Sequence, residues 1–348
     1  ISGGVDKMKY RRLGKTNLMV SYLGFGASPL GDIYGKTDED EIVRTVHAAI
    51  DAGINLFDVA PSYGPRGLAE ERLGKALEGK RHQVILNTKV GREDYGTPLK
   101  PEYVYDYSPE RVRASIDASL KRLRTDYIDV YQIHDFSYLG NNRYIAEVTI
   151  PELQKLQEAG KIRFIGINTK SVEDLLELAK MAPVDTMLNF LHYNIIDQSL
   201  AEELSPFARQ NDIGLINASV LYMGLLTPTV KVTYGWNRKW EGEQARIRQA
   251  VLDANSYCEE HGFTISDLAL KFAIEYDGVD TTLIGIGRMK SLERSLNTLK
   301  MDISQEHINH VRNMLSFIAQ SYRVGRQPAY NNPQNNTSQD NTAQNSNS

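Results

Sequence analysis

Ser108–His134 reads SPERVRASIDASLKRLRTDYIDVYQIH. In its first part Val112, Ile116, Leu120 and Leu123 fall at helical spacing, which gives a helix one apolar face. Ser108-Pro109 puts proline in the first turn, where its missing N–H costs nothing. The last part, Ile128–His134, is a short apolar run read as a buried strand that ends on a histidine. A helix followed by a strand is half of a repeating unit, and the same unit extends in both directions along the chain.

Further strand-like runs lie at Tyr22–Ala27, Asn55–Asp58, Val84–Lys89, Ile162–Asn168, Thr186–Phe190, Gly214–Ser219 and Thr282–Ile286, making eight with Ile128–His134. Amphipathic helices lie between them; Ile42, Val46, Ala49 and Ile50 show the spacing in one. Thr37-x-x-Asp40 and Ser171-x-x-Asp174 resemble capping boxes, and Gly53, Gly79 and Gly160 stand where a left-handed helix end is wanted. Eight alternating strands and helices predict a single-domain α/β fold, the (β/α)8 TIM barrel. The competitor is a doubly wound open sheet, but Gly24-Phe25-Gly26-Ala27-Ser28-Pro29 breaks the G-x-G-x-x-G turn that would favour it.

Composition narrows the function. The chain has 348 residues, 40 Lys and Arg against 44 Asp and Glu, and a net charge of −4. That balance leaves no basic footprint for nucleic acid. No apolar run approaches the ~20 residues of a membrane span. Cys258 is the only cysteine, which excludes an internal disulfide framework and a multi-cysteine zinc site, and fits a reducing, cytoplasmic setting. It falls in a helical pattern and reads as a small buried hydrophobe. His307-x-x-His310 reads as a surface pair, so no metal is expected. Residues 1–7, with Ser2-Gly3-Gly4, read as a tag remnant, 8–320 as the barrel, and 327–348, rich in Asn, Gln, Ser and Thr, as a disordered polar tail.

In a barrel of this kind, chemistry sits at the C-terminal ends of the strands. The second, third and fourth runs end at Asp58, Lys89 and His134, and Tyr63 follows Asp58 by five residues. Neighbouring strands lie about 4.8 Å apart, so these groups can converge. Singly, each is more often an ion pair or a packing residue; on consecutive strands they form a set suited to proton transfer at a carbonyl or alcohol oxygen. A phenol is a poor acid or base at neutral pH, and a Lys ammonium beside it would lower its pKa. Asp58 would hold Lys89 charged, and His134 would orient a substrate oxygen.

At these residues the chain resembles the aldo-keto reductases, over nearly all of Met8 to about Leu315. The matching stretches are Arg12-Leu13-Gly14-Lys15-Thr16, Leu23-Gly24-Phe25-Gly26, Asn55-Leu56-Phe57-Asp58-Val59-Ala60, Tyr63-Gly64, Glu70 with Leu73-Gly74, Thr88-Lys89 and Asp126-Tyr127-Ile128-Asp129-Val130-Tyr131-Gln132-Ile133-His134. The resemblance implies that Asp58, Tyr63, Lys89 and His134 are the catalytic tetrad, with Tyr63 as general acid or base while a nicotinamide cofactor exchanges hydride with the substrate carbon. Glu70 looks structural. His134-Asp135-Phe136 and Gly26-Ala27-Ser28-Pro29-Leu30-Gly31 resemble the sugar dehydrogenase branch, such as the L-galactose and L-fucose (D-threo-aldose) dehydrogenases, which oxidise an aldose to a lactone. Asp32, Tyr34, Asp135, Tyr222, Trp236 and Trp240 are candidate sugar contacts, and the long Tyr222–Trp240 stretch is a candidate lid.

Barrels often bind phosphate in the loops after strands seven and eight. That directs attention to Ser219, Leu221, Gly224 and Leu226, and to Ile286, Gly287, Arg288 and Glu293; Gly26, Ala27 and Asp58 border the same rim. By resemblance, Asn168 and Thr169 would hold the nicotinamide amide, although the family has Ser-Asn there. Asn189 is the nearest polar residue to the family's strand-six glutamine, and Ser295 stands where asparagine is usual. Gly285 and Ser291 lack the basic side chains of strongly NADP-selective relatives, so NAD is expected, with NADP the alternative through Arg288. The partner is a small carbonyl or sugar substrate. Alternatives are an NADPH-dependent aldehyde or ketone reductase and a non-catalytic regulatory subunit, as in the family's channel β-subunits.

Overall fold

A computed structural model describes residues 8–97, 100–230 and 241–321. Eight parallel strands close into a barrel: β1 (Leu23–Gly26), β2 (Leu56–Asp58), β3 (Ile85–Val90), β4 (Ile128–His134), β5 (Ile162–Asn168), β6 (Thr186–Phe190), β7 (Gly214–Ala218) and β8 (Thr281–Gly285). β8 pairs with β1 through Gly285↔Gly26, which shuts the ring. Every strand lies within a residue or so of its sequence expectation.

The helices form the outer layer, with α1 (Glu39–Asp51), α2 (Leu68–Ala76), α3 (Pro109–Leu123), α4 (Ile150–Glu158), α5 (Val172–Met181) and α6 (Leu204–Gln210) following the first six strands. Then come α7 (Glu243–Glu260), α8 (Ile265–Glu275), α9 (Met289–Leu299) and α10 (Gln305–Ser321). α1 buries Ile42, Val46 and Ala49, as its spacing requires. Ser108 and Ser171 cap α3 and α5 by accepting from the N–H of Arg111 and Asp174. The start of α1 differs from expectation. Asp38 is the cap and accepts from Glu41 N at 2.8 Å, while Thr37 turns inward to bond Asp32.

Alternation along the strands divides the barrel interior. Leu13, Val20, Leu56, Val130, Leu188, Ile216 and Leu283 form an apolar floor, with Val20 supplied by a hairpin, Tyr10–Arg12 with Met19–Ser21, and Leu13 by the turn inside it, at the N-terminal end. Two residues further along β2 and β4 the same faces become polar, at Asp58 and at Gln132 and then His134. A second hairpin, Arg92–Asp94 with Tyr103–Tyr105, follows β3 on the C-terminal side. The expected amino-terminal remnant and polar carboxy-terminal tail lie outside the described residues.

Candidate active site

Asp58, Lys89 and His134 sit at the C-terminal ends of β2, β3 and β4 and are buried. Lys89 Nζ donates to Asp58 Oδ1 at 2.7 Å, to Oδ2 at 2.8 Å and to the Val59 carbonyl at 2.9 Å. Asn87, one alternation below Lys89 on β3, donates its amide to Asp58 Oδ1 at 2.7 Å. Burial pulls Asp58 up and Lys89 down, and each opposes that shift in the other. With its ammonium matched to three acceptors, the pair stands ionised.

Tyr63 reaches this group because two backbones nearly touch. A Cβ on Gly31 would lie 2.2 Å from the Tyr63 carbonyl oxygen, and one on Gly64 2.4 Å from the Gly31 carbonyl oxygen. Gly64 also has a φ of +79°, which L side chains rarely adopt. The Tyr63 ring then lies 4.9 Å from Lys89 Nζ and edge-on to His134, 6.0 Å between centroids. The ammonium rests over the ring, its N–H groups committed to Asp58 and Val59. The expectation that Lys89 makes the phenol acidic is not met in this state. Burial first, then the charges of Asp58 and Asp135, hold Tyr63 well above the ordinary phenol value.

His134 is held the other way. Burial, then Arg92 and Lys89, keep the imidazole well below its ordinary range, so it is neutral near pH 7. Ser62 Oγ lies 3.4 Å from its Nδ1, and Asp135 Oδ2 is 3.7 Å from its Nε2. Glu70, fully buried behind β3, accepts from Thr88 and pairs with Arg122 at 2.6 Å, which braces the strand that carries Lys89.

A cleft of about 570 Å3 leads away from Asp58 and Tyr63. It passes Gly26, Ser219, Leu221 and Gly224 and ends at Gly287 and Arg288, beside the start of α9. Lys290 and Arg294 add positive charge at that far end. The Arg288 guanidinium donates to the Lys36 carbonyl at 2.8 Å, which ties the β1–α1 loop to the start of α9 across the cleft. Tyr34 stands at the cleft, 49% exposed.

Other expected contacts are placed differently. Asp32 does not face the cleft; its carboxylate pairs with Arg72 at 2.8 Å and accepts from Thr37, so it braces the loop instead. Tyr222 and Leu226 are buried in a second core between the β7 loop and α7. Ala27 and Ile286 are fully buried and contribute backbone bonds to the Asp58 and Gly26 carbonyls. Glu293 is exposed and away from the lining. Asn168 donates to the Leu188 carbonyl, Thr169 bonds Ser137, and Asn189 donates to the Thr169 and Lys170 carbonyls, leaving a buried Asn189 Oδ1 without a partner. Trp236 and Trp240, and with them most of the candidate lid, lie outside the described residues. His307 bonds the Tyr257 hydroxyl at 2.8 Å and its ring lies 4.5 Å from that of His261, a neighbour the sequence did not suggest. Among the described residues no group of three His, Cys, Asp or Glu could hold a metal ion.

Enzymes that move a hydride on a dinucleotide need proton-handling groups at one end of a long cleft and cations for phosphate at the other. This cleft has both, and its donors fit such a cofactor. The class is therefore a barrel oxidoreductase. Residues 22–316 match the model of the aldo/keto reductase family, and the chain belongs to that family and is an NAD(P)-dependent oxidoreductase. It is 37% identical over 323 residues to L-galactose dehydrogenase of Arabidopsis thaliana, covering 89% of this chain and 95% of that one. It is 27% identical to D-threo-aldose 1-dehydrogenase of a Pseudomonas species, covering 82% and 91%. The holo form of an aldo-keto reductase from Bacillus halodurans superposes with a TM-score of 0.70 at 27% identity, covering 88% of this chain and 96% of that one.

Proposed function

We propose that this protein oxidises the anomeric carbon of an aldose, giving a lactone. The observation that carries the reading is the meeting of Tyr63 and Asp58, which line the inner end of the cleft, with Lys89 and neutral His134 buried against them. The likeness to two aldose-oxidising enzymes supports an aldose as the substrate class. When bound in the cleft, NAD+ would supply the hydride acceptor; Arg288 and Lys290 would hold its phosphates, and Tyr63 and Asp58 line the opposite end. NADP is the alternative, taken through Arg288.

His134 donates a hydrogen bond to the anomeric oxygen and fixes it against Tyr63. Tyr63 takes the hydroxyl proton as the C1–H bond breaks. Lys89, held charged by Asp58, faces the ring as negative charge builds on the phenol oxygen. Tyr34 offers an aromatic face to the sugar, whereas Asp135, expected as a sugar contact, is buried against Arg92 and does not line the cleft. Since Tyr63 holds its proton above the ordinary phenol range, oxidation needs the rarer deprotonated form and accelerates as pH rises. Carbonyl reduction uses the abundant protonated form, and that favours the second reading, an NADPH-dependent aldehyde or ketone reductase.

The experiment is a panel of aldoses with NAD+ or NADP+ set against small aldehydes with NADH or NADPH, followed at the nicotinamide absorbance. Lactone formation from an aldose with kcat/KM well above that for simple aldehydes is the expected result. Efficient turnover of aldehydes alone, with every aldose inert, overturns it.

A further inference from the structure

The histidine of the site has a charged neighbour. Asp135 follows His134 in a left-handed backbone conformation, φ 51°, and brings its Oδ2 to 3.7 Å from His134 Nε2. Both side chains are almost fully buried. An uncompensated carboxylate at that distance in a dry site favours a proton on the imidazole. The imidazole would then change charge near neutral pH and compete with Tyr63 as proton donor.

Arg92 approaches Asp135 from another element. It opens the hairpin strand Arg92–Asp94, its Nη1 bonds the same Oδ2, and its guanidinium lies 4.0 Å over the Tyr103 ring. The other groups around the imidazole do not cancel the carboxylate at close range. Ser62 meets Nδ1, the Tyr63 ring is edge-on, and Tyr107 donates to the His134 backbone carbonyl at 2.7 Å. Lys89 from β3 also disfavours a charged imidazole but is itself bonded to Asp58 rather than Asp135, and Lys170, in the loop after β5, interacts with Asp135 at longer range. A buried ion pair is weak evidence of a stability role, because desolvation offsets much of its attraction.

We propose that Arg92 is a positioning residue: by pairing with Asp135 it cancels the carboxylate that faces His134, so the imidazole remains a neutral hydrogen-bond donor to the substrate oxygen. The inference rests on the role given to His134 above. Arg92 is also among the groups that hold the imidazole below its ordinary range.

The test uses the full chain with labelled histidine. Arg92→Gln keeps a hydrogen-bond donor for Asp135 and removes the charge. The His134 imidazole is titrated by NMR, and kcat/KM is measured across the same pH range. In the wild type the His134 midpoint lies well below the ordinary imidazole range, so the ring is unprotonated at neutral pH. In Arg92→Gln its midpoint moves up, and kcat/KM gains a limb at that midpoint with a fall of about tenfold on the acid side. The double variant Arg92→Gln/Asp135→Asn loses that limb, and Arg92→Lys never shows it. A purely structural role would lower Tm without creating a limb. The proposal is overturned by a wild-type His134 that titrates near its ordinary value, an unmoved imidazole in Arg92→Gln, a limb that survives Asp135→Asn, or a limb in Arg92→Lys. The titration needs no substrate, so it stands even if aldoses prove inert; inert aldoses count against the proposed activity and leave the Arg92 account intact.

Discussion

Two ion pairs in this barrel have the same 2.7 Å separation and opposite surroundings. Arg12–Asp212, at the N-terminal end, is about half exposed on both sides, at 49% and 52%. Lys89–Asp58, at the C-terminal rim, is exposed by 1% and 4%. In water the first pair gains little, because solvent screens it and two long side chains must be held still. The second has lost its water, so each charge depends on the other. Equal distances thus give a dispensable contact at one end and a charge device at the other.

Replacing Lys89 by Met should have the largest effect. It strands a buried carboxylate, and losing one partner of such a pair costs about 3–5 kcal/mol. Thermal melting should show that loss, and turnover should fall below detection. A milder Lys89→Met phenotype would mean that the pair is more solvated than its burial indicates.

Asn87→Leu is a sharper probe, since the two side chains have nearly the same shape. It removes a hydrogen bond to the ionised form of Asp58, so the carboxyl binds its proton more tightly and the acid limb of kcat moves to higher pH. A drop of about tenfold in kcat, with much less change in melting than Lys89→Met, is expected. An unmoved limb would leave Asn87 a packing residue.

Arg288→Ala tests the far end of the cleft. It breaks the tie to Lys36 and removes one cation, so KM for NADP should rise about tenfold more than KM for NAD. Equal rises would mean that the tie matters and the charge does not. Arg12→Ala should do least: unchanged turnover and a small shift in Tm, lost at high salt.

The same contrast separates what the sequence showed from what it did not. Strand ends were legible because a short apolar run stopping at Asp58, Lys89 or His134 carries both the period and the polar switch. Asn87 was within reach, since it lies two residues before Lys89 and alternation puts both on one face. Arg92 was not: it opens a three-residue strand with no period to read, and its partner lies 43 positions away. The fate of Asp32 depended on Arg72, 40 residues on, and a loop carboxylate carries no mark of such a partner. Tyr222 looked like a lid aromatic because its loop is long, yet it takes a left-handed conformation, φ 49°, and turns into the second core. The pKa of Tyr63 was misjudged for a physical reason: the nearby ammonium is already neutralised by Asp58, so burial decides the direction.

The central claim is that the Tyr63 hydroxyl exchanges the proton of the reacting oxygen. Tyr63→Phe removes one oxygen atom and leaves the ring beside Lys89. With cofactor affinity read by fluorescence and turnover by nicotinamide absorbance, the account predicts nearly unchanged cofactor binding and a kcat lower by at least about 10²-fold, the scale of general acid–base catalysis. A variant that keeps kcat within a few-fold of the wild type would contradict it.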